Sequence, residues 1–252
     1  EYGETLDGVL RWRSRDIYGI MNGIDESLFD PATDKAIYAN YSLEDMSGKA
    51  KCKESLRTEF WLDKDASPII GMVTRFTDQK GLDLVEYAIS ALMEKGVQLA
   101  VLGSGDARYE HLFSWASWRY GGRIAARYSH DPALANRIYA GSDMFLMPSR
   151  FEPCGLSQLI AMRMGSVPVV NATGGLKDTV WPYNEADETG RGFTFQSYNA
   201  DDFLAAIDRA LALYYNEPEK WLRLAENDMA VDSSWDVPAQ KYMALFQNVC
   251  GQ

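Results

Sequence analysis

From Pro68 onward, short apolar runs alternate with longer stretches in which apolar residues recur at helical spacing. The runs "PIIGMVTR" (68–75), "VQLAVLG" (97–103), "DMFLMP" (143–148) and "SVPVV" (166–170) are continuous rather than alternating, which predicts strands buried on both faces. "GRIAARY" (122–128) reads as a weaker strand, third in chain order, and "GRGFTF" (190–195) as a sixth. The intervening stretches predict helices over 81–96, 106–121, 132–141 and 155–165, the last with a glycine at each end. Three further helical patterns follow, at about 201–215, 218–229 and 236–248. Continuous strands separated by amphipathic helices are βαβ units, so the fold class is α/β, a Rossmann-like parallel sheet with helices on both faces.

The first 67 residues lack this regularity. "IYGIMNGIDESLFDPATD" (17–34) is rich in Gly, Asn, Asp and Pro, the residues of turns. A helical pattern from about Lys49 places Leu56, Phe60 and Trp61 on one side. "EYGETLDGVLRWRSR" (1–15) reads like the middle of a protein, so the chain is expected to be part of a longer one.

At 252 residues the chain is long enough for one large domain. Its net charge of −11 argues against a general nucleic-acid or anionic-membrane partner, which needs a basic surface. No apolar run reaches the roughly 18 residues of a membrane span. Three dispersed cysteines and two histidines give neither a disulfide framework nor a zinc spacing, and the count fits a reducing compartment.

In a doubly wound sheet, ligands sit beyond the carboxyl ends of the strands, so the loops after Val73, Leu102, Tyr128, Met147 and Val170 carry the candidate chemistry. "TRFTDQKG" (74–81) brings Arg75 and Lys80 to a helix start, a suitable phosphate receptor or, equally, solvated surface charge. "GSGD" (103–106) lacks the full dinucleotide fingerprint and reads as a turn. Tyr128 could stack on a base or simply pack, and His130 beside it reads as structural. "SRFEPCG" (149–155) places Glu152 before a helix that starts near Gly155. There it could bind sugar hydroxyls, stabilise charge, or only complement the helix dipole. Ser157 lies in the first turn. "NATGGLKD" (171–178) supplies a second amide-rich loop at Gly174 and Gly175. No Ser/His/Asp relay and no P-loop occurs.

"PSRFEPCGLSQLIAMRMGSVPVVNATGGLKDTV" (148–180), together with "TRFTDQKGLDLV" (74–85) and "GIMNGIDESLFDPATD" (19–34), resembles bacterial glycogen synthases and plant starch synthases, retaining glycosyltransferases of the GT-B fold that use ADP-glucose. The resemblance runs on to "SWDVPAQKYMALFQ" (234–247). It implies that Arg75 and Lys80 hold the donor diphosphate and that Glu152 contacts the donor glucose. Ser157 would meet phosphate. Gly174, Gly175 and Leu176 would approach the distal phosphate and sugar, Tyr128 the base, and Asn22 the sugar from the crossover. It also implies no metal and no cofactor besides the nucleotide-sugar. The acceptor would be an α-1,4-glucan, held by an N-terminal domain, and the setting a bacterial cytoplasm or plastid stroma.

On that basis residues 1–67 are an interdomain crossover and leading segment, 68–232 the donor-binding domain, and 233–252 a helix returning toward the N-terminal domain. Its outward face would be Tyr242, Leu245 and Phe246. Two departures stand out. Ile160 occupies the position where many retaining GT-B enzymes carry a second glutamate, and the family's K-x-G-G-L motif is absent. The chain is therefore expected to be the C-terminal half, either of a working glucan synthase or, on its own, a silent nucleotide-sugar-binding module. Sucrose synthases and mannosyltransferases fit "EPCGLSQL" less well.

Overall fold

The computed structural model describes residues 5–251. In chain order the elements are α1 (Asp7–Trp12), α2 (Ser47–Phe60), β1 (Ile69–Val73), α3 (Leu82–Glu94), β2 (Gln98–Leu102), α4 (Ala107–Arg119), β3 (Ile124–Arg127), α5 (Pro132–Gly141), β4 (Met144–Met147), α6 (Ser157–Arg163), β5 (Val167–Asn171), α7 (Gly174–Thr179), β6 (Phe193–Phe195), α8 (Ala200–Asn216), α9 (Pro218–Met229) and α10 (Asp236–Cys250). The strands form one six-stranded, all-parallel sheet in the order β3-β2-β1-β4-β5-β6. The expected Rossmann-like class is therefore what forms.

Alternate strand residues face opposite sides, and both sides are buried. Ile70, Met72, Leu99, Val101, Met144, Leu146, Val167 and Val169 join one cluster with α3, α4, α8 and α9. Ile69, Ala100, Leu102, Phe145, Met147 and Val170 face α2, α5 and α6. This double burial is why the strands read as unbroken apolar runs.

Local chemistry sets the helix starts. Asp106 caps α4 by accepting from Arg108 N at 2.9 Å, and Asp131 caps α5 by accepting from Leu134 N at 3.0 Å, with Pro132 at the first helical position. Asn199 caps α8 through Asp202 N at 2.8 Å.

Two details differ from the periodicity. Trp61 does not share the buried face of Leu56 and Phe60. It is the C-cap of α2 in the left-handed region (φ 55) and is 83% exposed. The helix ends there, so the face that the periodicity extends to Trp61 turns out to solvent. The leading segment also holds α1, whose residues are all exposed. With Asp7 in its first turn and Arg11 in its last, it rests on local interactions and leaves no buried stripe for a pattern to reveal. Helix α10, Asp236–Cys250, has only Pro238 buried, and Val237, Tyr242, Met243, Phe246 and Val249 stand exposed. Among the described residues, no helix is long and apolar enough to cross a membrane.

Candidate active site

The strand order reverses between β1 and β4: β1 continues toward β2 and β3, β4 toward β5 and β6. The loops leaving their carboxyl ends diverge there and open a crevice. Two cavities fill it. The narrower, about 200 Å³, is lined by Val73, Arg75, Lys80, Met147, Ser149 and Ser157. The wider, about 320 Å³, runs over the ends of β1 and β2 and is lined in part by Phe29, Leu102, Gly103, His130, Tyr139 and Ile160. Val73, Thr74 and Arg75 belong to both, so Arg75 stands at the seam.

The two loops of the narrow cavity are locked together through their backbones. Arg150 N donates to Gln79 O at 2.9 Å, and Gln79 Nε2 reaches Phe151 O at 3.3 Å. Gly81 adopts φ +74, and a Cβ there would lie 1.9 Å from the Pro148 carbonyl oxygen, so only glycine lets the loops approach this closely. Outside, Arg150 pairs with Asp83 at 2.7 Å and stacks over Tyr198, whose hydroxyl also donates to Asp83.

That clamp brings Lys80 and Glu152 together. Lys80 Nζ lies 2.5 Å from Glu152 Oε2, and the Glu152 residue is 8% exposed. The Ser149 hydroxyl donates to the same oxygen at 3.2 Å. The sequence points these two charged residues at one ligand, and the structure shows them also pointing at each other. Arg75 differs: its side chain is exposed and has no ion-pair or hydrogen-bond partner among the described residues. A cation left unneutralised at the seam of a crevice is suited to a mobile anion.

The other candidates divide. Ser157 opens α6, lines the narrow cavity and neighbours the buried Tyr139 hydroxyl, which burial pushes up to about 12 and so keeps neutral. In the glycine loop, the amides of Gly175 and Leu176 are committed to Glu152 O and Thr173 O at 2.9 and 3.0 Å. The Gly174 N–H has no acceptor among the described residues, so of the three it is the donor open to a ligand. Gly174 takes φ +46, and a Cβ would sit 2.1 Å from Glu152 O, which seats α7 directly against the Glu152 backbone.

Tyr128 is 42% exposed, edge-on to Phe76 with centroids 6.2 Å apart, and is outside the wide cavity's lining; its successors Ser129, His130 and Asp131 form that wall. Asn22 lines neither cavity. It is half-buried, and the adjoining Gly23 packs on the Ser234 carbonyl. Phe29 and His130 were not picked out by their residue type. The Asp131-Pro132 helix start places His130 at the cavity rim, and this was a readable signal for it.

Residues 58–228 match the family model for glycosyl transferases group 1. The chain belongs to this family. Its fold is that of the C-terminal, Rossmann-like half of a GT-B enzyme. The glycogen synthase of Clostridium novyi (strain NT) is 47% identical over 249 residues, 98% of this chain and 52% of its own length. That of Clostridium beijerinckii is 49% identical over 253 residues, 100% of this chain and 53% of its own. The chain thus spans about half the length of these relatives. The catalytic domain of starch synthase IV from Arabidopsis thaliana, bound to ADP and acarbose, superposes with a TM-score of 0.94 at 36% identity, covering 99% of this chain and 52% of that one. Sucrose-phosphate synthase from Thermosynechococcus elongatus shares only the fold, at TM-score 0.66 and 22% identity over 97% of this chain and 56% of that one.

Proposed function

We propose that this group 1 glycosyltransferase chain is the donor-binding half of a glucan synthase. It would transfer glucose from ADP-glucose to the non-reducing end of an α-1,4-glucan with retention of configuration. The observation that carries the reading is the Lys80–Glu152 pair beside the free Arg75, at the crevice where the sheet order reverses. In this reading the adenosine occupies the wider cavity and the diphosphate lies at the seam, on Arg75, Lys80, Ser157 and the Gly174 amide. The glucose meets Glu152. The ADP and acarbose bound to the Arabidopsis starch synthase support a nucleotide and a saccharide as ligands.

The chemistry asked of the residues is electrostatic. As the glycosidic bond to the diphosphate breaks, negative charge grows on the leaving ADP. In this reading Arg75 and Lys80 stabilise it, and no divalent cation is assigned a role. Glu152, ionised, would stabilise the positive charge building on the sugar ring. The acceptor oxygen then adds on the face from which ADP leaves, and the hydroxyl proton passes to the departing diphosphate. With about half the relatives' length present, the chain by itself is proposed to bind donor without transferring it.

Calorimetric titration with ADP, UDP and ADP-glucose, beside Lys80→Ala and with EDTA present, tests this. ADP and ADP-glucose should bind, UDP should not, and the variant should lose affinity while EDTA changes nothing. Equal affinity for UDP would remove the adenine assignment; no nucleotide binding would remove the site.

A further inference from the structure

Glu152 lies on the loop after β4, outside the cavity lining but against the lining residues Lys80 and Ser149, and its backbone is tied down by Gly175 N donating to its carbonyl at 2.9 Å. Its carboxylate is held differently. Both of its partners, Lys80 Nζ at 2.5 Å and Ser149 Oγ at 3.2 Å, converge on Oε2. Oε1 has no hydrogen-bonding partner among the described residues. The terminal torsion of a glutamate is broad, so without restraint the plane of the carboxylate swings freely.

The two partners are not equivalent as restraints. Lys80 carries its ammonium on a flexible stem and, in the donor-site reading, also meets the diphosphate. Ser149 is rigid: it is 1% exposed, and its carbonyl accepts from Asn171 Nδ2 at 2.8 Å. Asn171 is itself buried and ends β5. A short buried path therefore runs from the sheet through Asn171 and Ser149 to one oxygen of Glu152.

We propose that Ser149 is a positioning residue for Glu152: its hydroxyl fixes the plane of the carboxylate, so that one oxygen stays on Lys80 and the other is presented to the donor sugar. The proposal rests on the donor-site reading above. It separates the sugar from the nucleotide, because Ser149 would act on glucose recognition only through Glu152 and on the diphosphate not at all.

The test is a double-mutant cycle read by titration of ADP and of ADP-glucose, on the wild-type chain, Ser149→Ala, Glu152→Ala and the double variant, with melting curves to verify folding. Ser149→Ala is expected to weaken ADP-glucose about tenfold, the scale of a hydrogen bond to a charged group, and to leave ADP within about twofold. In the Glu152→Ala background the same substitution should have no further effect on either ligand. Ser149→Cys, nearly isosteric but a weak donor, should fall between wild type and Ser149→Ala. Equal loss of both ligands in Ser149→Ala, or an ADP-glucose loss that persists without Glu152, overturns the positioning role while leaving the donor site standing. Failure of the wild-type chain to bind ADP overturns the donor-site reading and this proposal with it.

Discussion

Arg75 and Lys80 carry the same charge and the same proposed task, yet their surroundings predict different consequences when each is removed. Arg75 is exposed and unpartnered among the described residues, so Arg75→Ala should leave stability within about 0.5 kcal/mol of wild type. Lys80 neutralises a carboxylate, and the side chains of the pair are 16% and 9% exposed. Lys80→Ala would leave Glu152 charged, nearly buried and held only by Ser149. Breaking a buried pair from one side costs roughly 3–5 kcal/mol, and residual solvent access puts this case at about 3. For a chain of this size that is a drop in Tm of roughly 6–12 °C. Both variants should weaken ADP by about 10- to 100-fold, each losing charge-assisted bonds to the diphosphate. Lys80→Ala combined with Glu152→Gln exchanges the orphaned charge for a neutral amide. It should recover most of the Tm and none of the ADP affinity. Melting curves and calorimetry on the four proteins give both readouts. Equal Tm losses in the two single variants, or an unchanged Tm in Lys80→Ala, would refute the pairing argument. Recovery of ADP affinity in the double variant would refute the assignment of Lys80 to the phosphate.

Asp228 is 1% exposed, neither carboxylate oxygen has a hydrogen-bond partner among the described residues, and burial, opposed by the charge of Arg191, holds its carboxyl well above the usual carboxylate range. A raised acid in the fold means that its contribution is fully present below about pH 4 and is lost as pH rises toward the folded value. Asp228→Asn should therefore be more stable than wild type by about 1 kcal/mol or more at pH 8, with the gap closing near pH 4, in urea melts at both. Gly81→Ala forces a side chain onto the Pro148 carbonyl at φ +74. It should lower the urea midpoint by an amount equivalent to about 2–4 kcal/mol and weaken ADP by parting the two site loops. Arg150→Ala removes the Asp83 pair and the Tyr198 stack outside the cavities, and 44% of the Arg150 side chain is exposed. The expected loss is about 0.5–1 kcal/mol in melts, with ADP affinity unchanged in calorimetry.

Much of the fold was legible because the sheet is buried on both faces, which turns four strands into unbroken apolar runs and leaves β3, at a sheet edge, weak. The strand order was not legible, since no local pattern records which parallel neighbours pair. The crevice between β1 and β4 therefore appeared only with the topology. Arg75, Lys80 and Glu152 were readable as loop residues after strands, and Ser157 as part of the first turn of the helix that follows. The Lys80–Glu152 contact was not, because its members are 72 positions apart and meet only through the backbone clamp between their loops. Gly175 and Leu176 looked like free donors because sequence shows an amide but not its acceptor. Trp61 misled for a related reason: helical periodicity continues on paper past the residue where a left-handed cap turns the chain.

A nucleotide diphosphate at the seam of the two cavities would be visible in a crystal structure of this chain with ADP. Phosphate oxygens are expected within hydrogen-bond distance of both Arg75 and Lys80, with the base in the cavity walled by Gly103, His130 and Tyr139. ADP bound elsewhere, for instance in the cavity bordered by Lys49, Lys53 and Trp221 at the opposite end of the sheet, would contradict this placement.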